Sequence, residues 1–472
     1  MPSRIFRLIN VVWTLGRYDA ILPREFQSLL PPSAKFVGGV LRFGAKKDGA
    51  VGERLSNALE KLGAVWIKLG QILSTRVDII GIEPAKALAG LKDKVAPFPD
   101  AQAKEILARE FCDGDISKLH EFIGDIGPVI AAASVAQVYK IKSKDGRDLA
   151  LKILRPNIEK QIMRDLDALA LGAKIINFIS PKSRRLKPIE LVQTVRDALS
   201  KEIDLRQEAG ACDAYGSIGE LNGLIAVPQV EWKYSTKNTL ATTWIDGKSL
   251  TSPDALDGMD RKKIAHDIHT SFLISALEHG FFHADLHEGN LIIGNDGKTY
   301  VVDFGIMGRL GQNERRYLAE ILYRFIKRDY RGAARVHFTA GYVPKNQNEG
   351  DFAIAMRAVC EPIWGRKASE VSMGKVLLQL FDVTEQFGMQ LRPELVLLQK
   401  TMVQVEGVTR NIDNDHDIWK CAAPIVEAFM KRELGPEGMA KRTKEHLEKL
   451  AETLMKLPDL VDKLEKFLDK QS

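Results

Sequence analysis

The segment FFHADLHEGNLIIGNDGKTYVVDFG, residues 281–305, constrains this chain more than any other stretch. A helical pattern ends near Gly280, and a polar loop then holds His283, Asp285, His287 and Asn290. Next comes a hairpin whose turn is Asn295-Asp296-Gly297, residues that tolerate the positive φ such turns demand. The hairpin delivers Asp303 within Asp303-Phe304-Gly305. Two carboxylates and an amide oxygen are thereby ordered along the chain, with steps of five residues (285 to 290) and thirteen (290 to 303).

A bare Asp-Phe-Gly triplet arises by chance, and His283 with His287 admits a transition-metal pair or simple packing. The three oxygen donors together on one loop–hairpin–loop frame are more telling. Phosphoryl transfer from ATP needs hard oxygen ligands for Mg²⁺ and a carboxylate near the attacking group, and kinase sites use this order and spacing.

Upstream, Lys152 in LALKILRP ends a strand-like segment and points opposite to Leu151 and Ile153. Alone it reads as a surface lysine. Placed after a small-residue run and before the Asp-Asn-Asp set, it is the expected phosphate lysine. It needs a carboxylate partner, and the helix KEIDLRQEAGACDAY offers Glu202, Asp204 and Glu208, charges that otherwise form a solvated face. The small-residue run is Ala131, Ala132, Ala133, Ser134, Val135 and Ala136, followed by Gln137 and Val138. By itself it is a buried strand. Ahead of Lys152 it reads as a phosphate-covering turn with alanine where glycine would ease close backbone approach.

At 472 residues the chain has room for roughly two to four domains. Its 45% hydrophobic and 28% charged residues describe a soluble globular protein. The net charge of +6 is small, and no stretch joins Lys and Arg with aromatics on one face, so nucleic acid is not an expected partner. SPKSRRLKP at 180–188 reads as a solvated loop. The four cysteines are dispersed without a C-x-x-C pair, so neither a zinc site nor a disulfide framework follows, and a reducing compartment is expected. The N-terminus lacks the apolar core and cleavage site of a secretory signal, and no run approaches ~18 uninterrupted apolar residues.

Helical periodicity covers 1 to about 125, with a boundary at KVAPFPD. From about 129 to 154 the pattern turns to strand around Lys144-Asp145-Gly146, and helices are expected over about 156–179 and 188–220. Residues 224–247 read as two more strands, and from about 260 the chain is mostly helical apart from the hairpin.

These residues resemble the UbiB (aarF-like) family of atypical protein-kinase-like proteins. The resemblance rests on Lys68-Leu69-Gly70-Gln71, the alanine-rich run 131–138, Glu202-x-Asp204, and HADLHEGN with its Asp-Phe-Gly. It implies an α+β, protein-kinase-like fold with a small β-containing N-lobe, a helical C-lobe and a helical N-terminal extension. The expected division is 1–125 for the extension, 126–246 for an N-lobe with inserted helices, 247–440 for the C-lobe, and 441–472 for an amphipathic tail.

The resemblance further implies ATP or ADP with Mg²⁺. Lys152 would contact the phosphates and pair with Glu208; Asp285 would be the catalytic base; Asn290 and Asp303 would hold Mg²⁺. The hinge 240–246, with Thr243 and Trp244, would meet adenine, and Lys68 would project into the active site and pair with Glu202. The extension would lie where a protein substrate otherwise docks. The chain departs from the family's HADPHPGN at Leu286 and Glu288, which leaves the metal-binding positions intact.

The expected function is ATP hydrolysis supporting ubiquinone biosynthesis, with anionic membrane lipid and biosynthetic enzymes as partners, on the cytoplasmic side of the inner membrane. Members of the family usually continue into a C-terminal anchor, so either the anchor has been left out of this sequence or attachment is peripheral, which is the expectation; Arg4, Arg7 and Arg17 suit an anionic surface, although a helix packed on the core explains them equally. A genuine protein kinase and a non-catalytic scaffold are the competing readings.

Overall fold

The computed structural model describes residues 2–20, 49–74, 96–179, 187–363 and 392–435, with a few isolated positions between them. The amphipathic tail from 440 and most of the basic loop at 180–188 lie outside the described residues. The chain forms two compact units: residues 1–216, 227–246 and 303–305, and residues 217–226, 247–302 and 306–472.

The first unit begins with helices α1 (Pro2–Arg17), α2 (Val51–Leu62), α3 (Ala64–Ser74) and α4 (Asp100–Phe111). A four-stranded antiparallel sheet follows in the order β1-β2-β3-β4, from β1 (Ile123–Ala132), β2 (Ala136–Ser143), β3 (Asp148–Leu154) and β4 (Thr239–Thr243). Between β3 and β4 run α5 (Ile158–Ile179), α6 (Pro188–Glu202) and α7 (Leu205–Asn222). Strand β3 shows why the sheet forms: Leu149, Leu151 and Ile153 alternate inward and are fully buried with Tyr139, Ile141 and Ala241. A second core joins α2, α3, α5, α6 and α7 through Leu59, Trp66, Leu166, Leu199 and Ala209.

Strand β1 has no clean alternating pattern, because its pairing with β2 is irregular at three places. A Cβ at Gly124 would sit 2.8 Å from the Lys142 carbonyl oxygen, and one at Gly127 would sit 2.7 Å from that of Lys140. Two glycines and Pro128, read locally, suggest a loop; here they permit close backbone approach across a bulged edge.

Two sequence readings are corrected, and one left open is narrowed. Residues 224–247 supply one strand of the main sheet, not two: the earlier part makes only the isolated bridges Ala226↔Tyr300 and Val230↔Thr242 and a 3₁₀ turn at Trp232–Tyr234. The helix expected over 188–220 is broken at Ile203-Asp204, where the Asp204 carboxylate accepts from the Arg206 amide at 3.2 Å and opens α7. In α1, two of the three arginines reach carboxylates of α5. Arg7 donates to the Asp165 carboxylate at 2.8 Å and to the Leu62 carbonyl at 2.8 Å, and Arg4 pairs with Asp167 at 2.7 Å. Helix α1 therefore packs on α5 with the help of ion pairs, and its exposed residues include the apolar Ile5, Phe6, Ile9 and Trp13 beside Arg4, Asn10 and Arg17.

The second unit holds the three-stranded sheet β5-β7-β8, from β5 (Gly247–Ser249), β7 (Leu291–Gly294) and β8 (Thr299–Val301). A two-stranded pair joins β6 (Phe281–His283) to β9 (Met307–Arg309). Its described helices are α8 (Arg261–Ile274), α9 (Gln312–Ile326), α10 (Tyr330–Thr339), α11 (Glu349–Cys360), α12 (Pro393–Ile412) and α13 (Ile418–Leu434). Among the described residues no helix is long and apolar enough to cross a membrane.

Candidate active site

In the first unit, Lys152 projects from β3 on the face opposite Leu151 and Ile153 and meets Glu208 of α7, with both carboxylate oxygens at 2.8 Å from Nζ. Asp303 approaches the same ammonium at 3.4 Å. Its backbone holds a positive φ of 63°, an uncommon conformation for a residue with a side chain, and its Oδ1 accepts from the Gly305 amide at 3.3 Å. Phe304 is buried, its ring 5.7 Å from that of Tyr215.

Two carboxylates thus share one ammonium, Glu208 from the buried side and Asp303 from the exposed side. Burial pushes the Glu208 carboxyl up to about 7, with Asp303's negative charge adding to the rise and Lys152 opposing it. Burial works against the charged form of Lys152, but the two carboxylates outweigh it and raise its pKa above the ordinary value.

The Glu202-x-Asp204 motif has a local logic. Glu202 closes α6 and forms an ion pair with the buried Lys68 of α3. Asp204 starts α7, and one turn later that helix presents Glu208. Gly70 is explained by packing: a Cβ there would lie 2.4 Å from Leu91 Cδ1 and 2.8 Å from Leu59 Cδ1. Leucine side chains, not a second backbone or a ligand, set that close approach.

The alanine-rich run divides. Ala131 and Ala132 end β1, the Ala133 amide donates to the Ala136 carbonyl at 2.8 Å, and Val135 and Ala136 are buried in the helical core. Ser134 lies in the turn between the strands, and Val138 pairs with Lys152 across β2 and β3. Gln137 is turned away to the chain before α4: its Oε1 accepts from the Phe98 amide at 2.9 Å and its Nε2 donates to the Phe98 carbonyl at 3.2 Å. Arg155, which the motif reading passed over, fastens the turn. Its Nε donates to the Ala133 carbonyl at 2.9 Å, and another guanidinium nitrogen reaches the Ala96 carbonyl at 2.9 Å. The basic residue two places before Asn157 in LKILRPN was visible, but nothing local marks its target.

In the hinge segment, the Thr243 amide donates to Gln229 at 2.9 Å and the Trp244 amide to Asp148 at 3.1 Å. Both amides are engaged in the sheet, so an adenine edge would meet carbonyls or the amides that follow. The Trp244 indole is held on Asp246 at 2.9 Å with Lys140 4.7 Å over its ring.

In the second unit, Asp285 follows β6 and faces α12. Its Oδ1 accepts from Gln404 Nε2 at 3.0 Å and from Lys400 Nζ at 3.3 Å. Burial raises its pKa, but Lys400, Gln404 and the neighbouring histidines more than offset this and hold the carboxyl below its ordinary value. Lys400 and Gln404 are additional site residues, lying more than a hundred positions downstream, on a helix that carries no motif.

Asn290 is buried, and its Nδ2 donates to the Asp285 carbonyl at 3.0 Å. With its NH₂ group so engaged, the other polar atom of the amide is Oδ1, a hard oxygen donor. The Val302 amide donates to the Asn290 carbonyl at 3.0 Å, one residue before Asp303 in the chain. Each of the two loop histidines is bound to backbone: His283 Nδ1 accepts from the Asp285 amide at 3.2 Å, and His287 Nδ1 from the Gly289 amide at 3.0 Å. Through these bonds both rings shape the loop. Of the two departures from the proline-bearing pattern, Leu286 is buried and Glu288 accepts from Asn411 of α12 at 2.7 Å.

The ABC1 atypical kinase-like domain family matches residues 90–337, and the UbiB helical domain family matches 356–417. The chain belongs to the UbiB family of atypical kinase-like proteins. It is 36% identical over 470 residues to the "Probable protein kinase UbiB" of Marinobacter nauticus, covering 97% of this chain and 85% of that one. The protein of the same name from Vibrio cholerae is 36% identical over 466 residues, again covering 97% and 85%. Among solved structures, the Mycobacterium tuberculosis protein Rv3197, determined with erythromycin, matches with a TM-score of 0.53 at 21% identity, over 80% of this chain and 94% of that one. That last likeness speaks to the fold, a mixed helix-and-sheet, kinase-like one.

Proposed function

We propose that this protein is a Mg²⁺-dependent ATPase of the atypical kinase type that supports ubiquinone biosynthesis at a membrane surface. The observation that carries the reading is Lys152, gripped by both oxygens of Glu208 with Asp303 beside it. A lysine so placed is a fixed positive charge for α- and β-phosphates rather than a mobile surface group. Asn290 and Asp303 are the proposed Mg²⁺ ligands, and their hard oxygen donors fit that ion. Bound Mg²⁺ supplies neutralisation of charge developing on the transferred phosphoryl group.

Asp285, ionised and oriented by Lys400 and Gln404, accepts a proton from the attacking hydroxyl or water. The turn 131–138, stiffened by Arg155, covers the phosphates, while carbonyls of 243–244 and later amides receive adenine. The Lys68–Glu202 pair keeps the helical extension on the unit that carries Lys152. Residues 1–125, 126–246 and 247–440 are the proposed extension and lobes, and 441–472 the proposed tail.

Ubiquinone enters through the UbiB name of the relatives, and membrane contact, on the cytoplasmic face of the inner membrane, through the outward Ile5, Phe6, Ile9 and Trp13 of α1. A protein kinase is the second reading, favoured by the relatives' printed name. A scaffold is disfavoured, since it has no physical need for Lys152, Asp285, Asn290 and Asp303 together.

The test is purified protein with Mg²⁺ and labelled ATP, with and without anionic vesicles. Phosphate release that rises with vesicles and leaves no labelled protein supports the proposal. Efficient labelling of an added protein replaces it with the second reading. Nucleotide binding without turnover, with or without vesicles, sinks both.

A further inference from the structure

The second unit contains a cluster that phosphoryl transfer does not use. His269 lies on α8, His416 in the turn between α12 and α13, and Cys421 on the first turns of α13; all three are buried. Their nearest ligating atoms all fall within 4.8 Å of one another. His269 Nδ1 and His416 Nε2 are 3.0 Å apart, and Cys421 Sγ is 3.6 Å from Nδ1 of His266, one turn before His269 on the same helix.

Zinc bonds nitrogen at about 2.0–2.1 Å and sulfur at about 2.3 Å, so tetrahedral ligand atoms stand roughly 3.3–3.6 Å apart. The His269–His416 separation of 3.0 Å and the Cys421–His266 separation of 3.6 Å lie near that range, and the three ligand atoms all fall within 4.8 Å. We propose that His269, His416 and Cys421 bind a divalent transition metal of the zinc class, with the fourth position open to His266 or water. Two imidazoles and a thiolate are the donor set such ions prefer over the oxygen-seeking Mg²⁺ of the nucleotide site.

Backbone geometry holds the ligands in place. The His416 amide donates to the Asp413 carbonyl at 3.0 Å, and the Asp417 carboxylate caps α13 through the Trp419 and Lys420 amides at 3.0 and 3.1 Å, fixing the start of the helix that carries Cys421. Thr270 Oγ1 lies 3.3 Å from Cys421 Sγ and would support the thiolate. Exposed Asn414 and Asp415 beside His416 leave a short route from solvent.

No local pattern marks this cluster, since the cysteine has no cysteine neighbour and its partners lie about 150 residues upstream or on the preceding turn. A bound ion would tie α8 to α13 and to the end of α12, the helix that also bears Lys400 and Gln404. Its role would be structural.

The experiment uses the full chain, stripped with chelator and titrated with Co²⁺, then competed with Zn²⁺, in the absence of nucleotide. One equivalent of Co²⁺ should produce intense visible bands of tetrahedral cobalt and an ultraviolet thiolate-to-cobalt band, both displaced by Zn²⁺. Cys421→Ser should abolish the thiolate band, and His269→Gln should weaken Co²⁺ binding at least tenfold. Circular dichroism of each metal-free variant checks that it is folded. If a variant is not, thermal unfolding of the unmodified chain decides: Zn²⁺ at micromolar excess should raise its midpoint. A thiolate band that survives in folded Cys421→Ser overturns the proposal. So does an unmodified chain that yields no tetrahedral cobalt spectrum and no Zn²⁺-dependent shift.

Discussion

Both units set a shielded carboxylate, buried Glu208 and half-buried Asp285, against a lysine, with opposite electrostatic results. In the first, Glu208 and Asp303 divide one ammonium, and the drier of the two, Glu208, is raised to about 7. In the second, Asp285 has Lys400, the Gln404 amide and nearby histidines to itself, and is held below its ordinary value despite burial. An ion pair by itself therefore does not fix a carboxylate's charge: at Glu208 burial, helped by Asp303, outweighs Lys152, whereas at Asp285 the lysine, the amide and the histidines outweigh burial. The arrangement suits the proposed division of labour. Asp285 stays ionised to take a proton, while the Lys152 cluster is poised to exchange a carboxylate contact for phosphate and metal.

The comparison can be broken most directly at Asp285. Asp285→Asn should lower ATP hydrolysis by about 10²–10⁴-fold while nucleotide affinity stays close to that of the parent chain. Equal loss of affinity would move Asp285 out of the proton-transfer role.

The Lys68–Glu202 pair tests whether the first unit depends on paired burial. Lys68→Met strands Glu202 and should reduce stability by roughly 3 kcal/mol in a denaturant titration, whereas adding Glu202→Gln should recover most of the loss. Equal stability in single and double variants would show the pair to be electrostatically idle.

Glu208 gives the pH dependence. It is protonated below about 7 and releases Lys152, so ATP turnover should rise with pH through an apparent value near 7. Glu208→Gln should remove that limb and lower turnover at pH 8 by about 10–100-fold, the usual effect of losing an orienting partner. For stability the sign is opposite. A raised carboxyl pKa makes the folded state hold its proton more tightly, so this group's contribution falls as pH climbs from the ordinary carboxylate value to about 7. The smallest effect is expected at Ala133→Gly, which should loosen the turn under Arg155 and change the ratio of ATP to ADP affinity a few-fold, with a rise in autophosphorylation. No change in either would return the run to an ordinary strand and turn.

Much was legible locally. The β7–β8 hairpin, the inward alternation of β3 and the outward Lys152 follow from turn chemistry and period-two burial, which are short-range. The bulged β1 was not legible, because Gly124, Gly127 and Pro128 resemble loop residues until the neighbouring strand shows why a side chain cannot fit. The break between α6 and α7 was missed for a similar reason: Asp204 could have been a mid-helix polar residue, and its capping geometry made it a helix start. Arg4 and Arg7 could have faced lipid or protein, and only the carboxylates on α5 decided between them.

By itself the sequence determined the order of chemical groups: a lysine on a strand, an Asp and Asn on one loop, and an Asp after a hairpin. Short-range backbone preferences suffice for that. The tertiary structure decided which charges share a partner. Whether Glu202, Asp204 or Glu208 meets Lys152, that Lys400 and Gln404 hold Asp285, and that His269, His416 and Cys421 converge all depend on side chains distant along the chain. Electrostatic and metal-ligand interactions act through space over a few ångströms, and local sequence does not encode those distances.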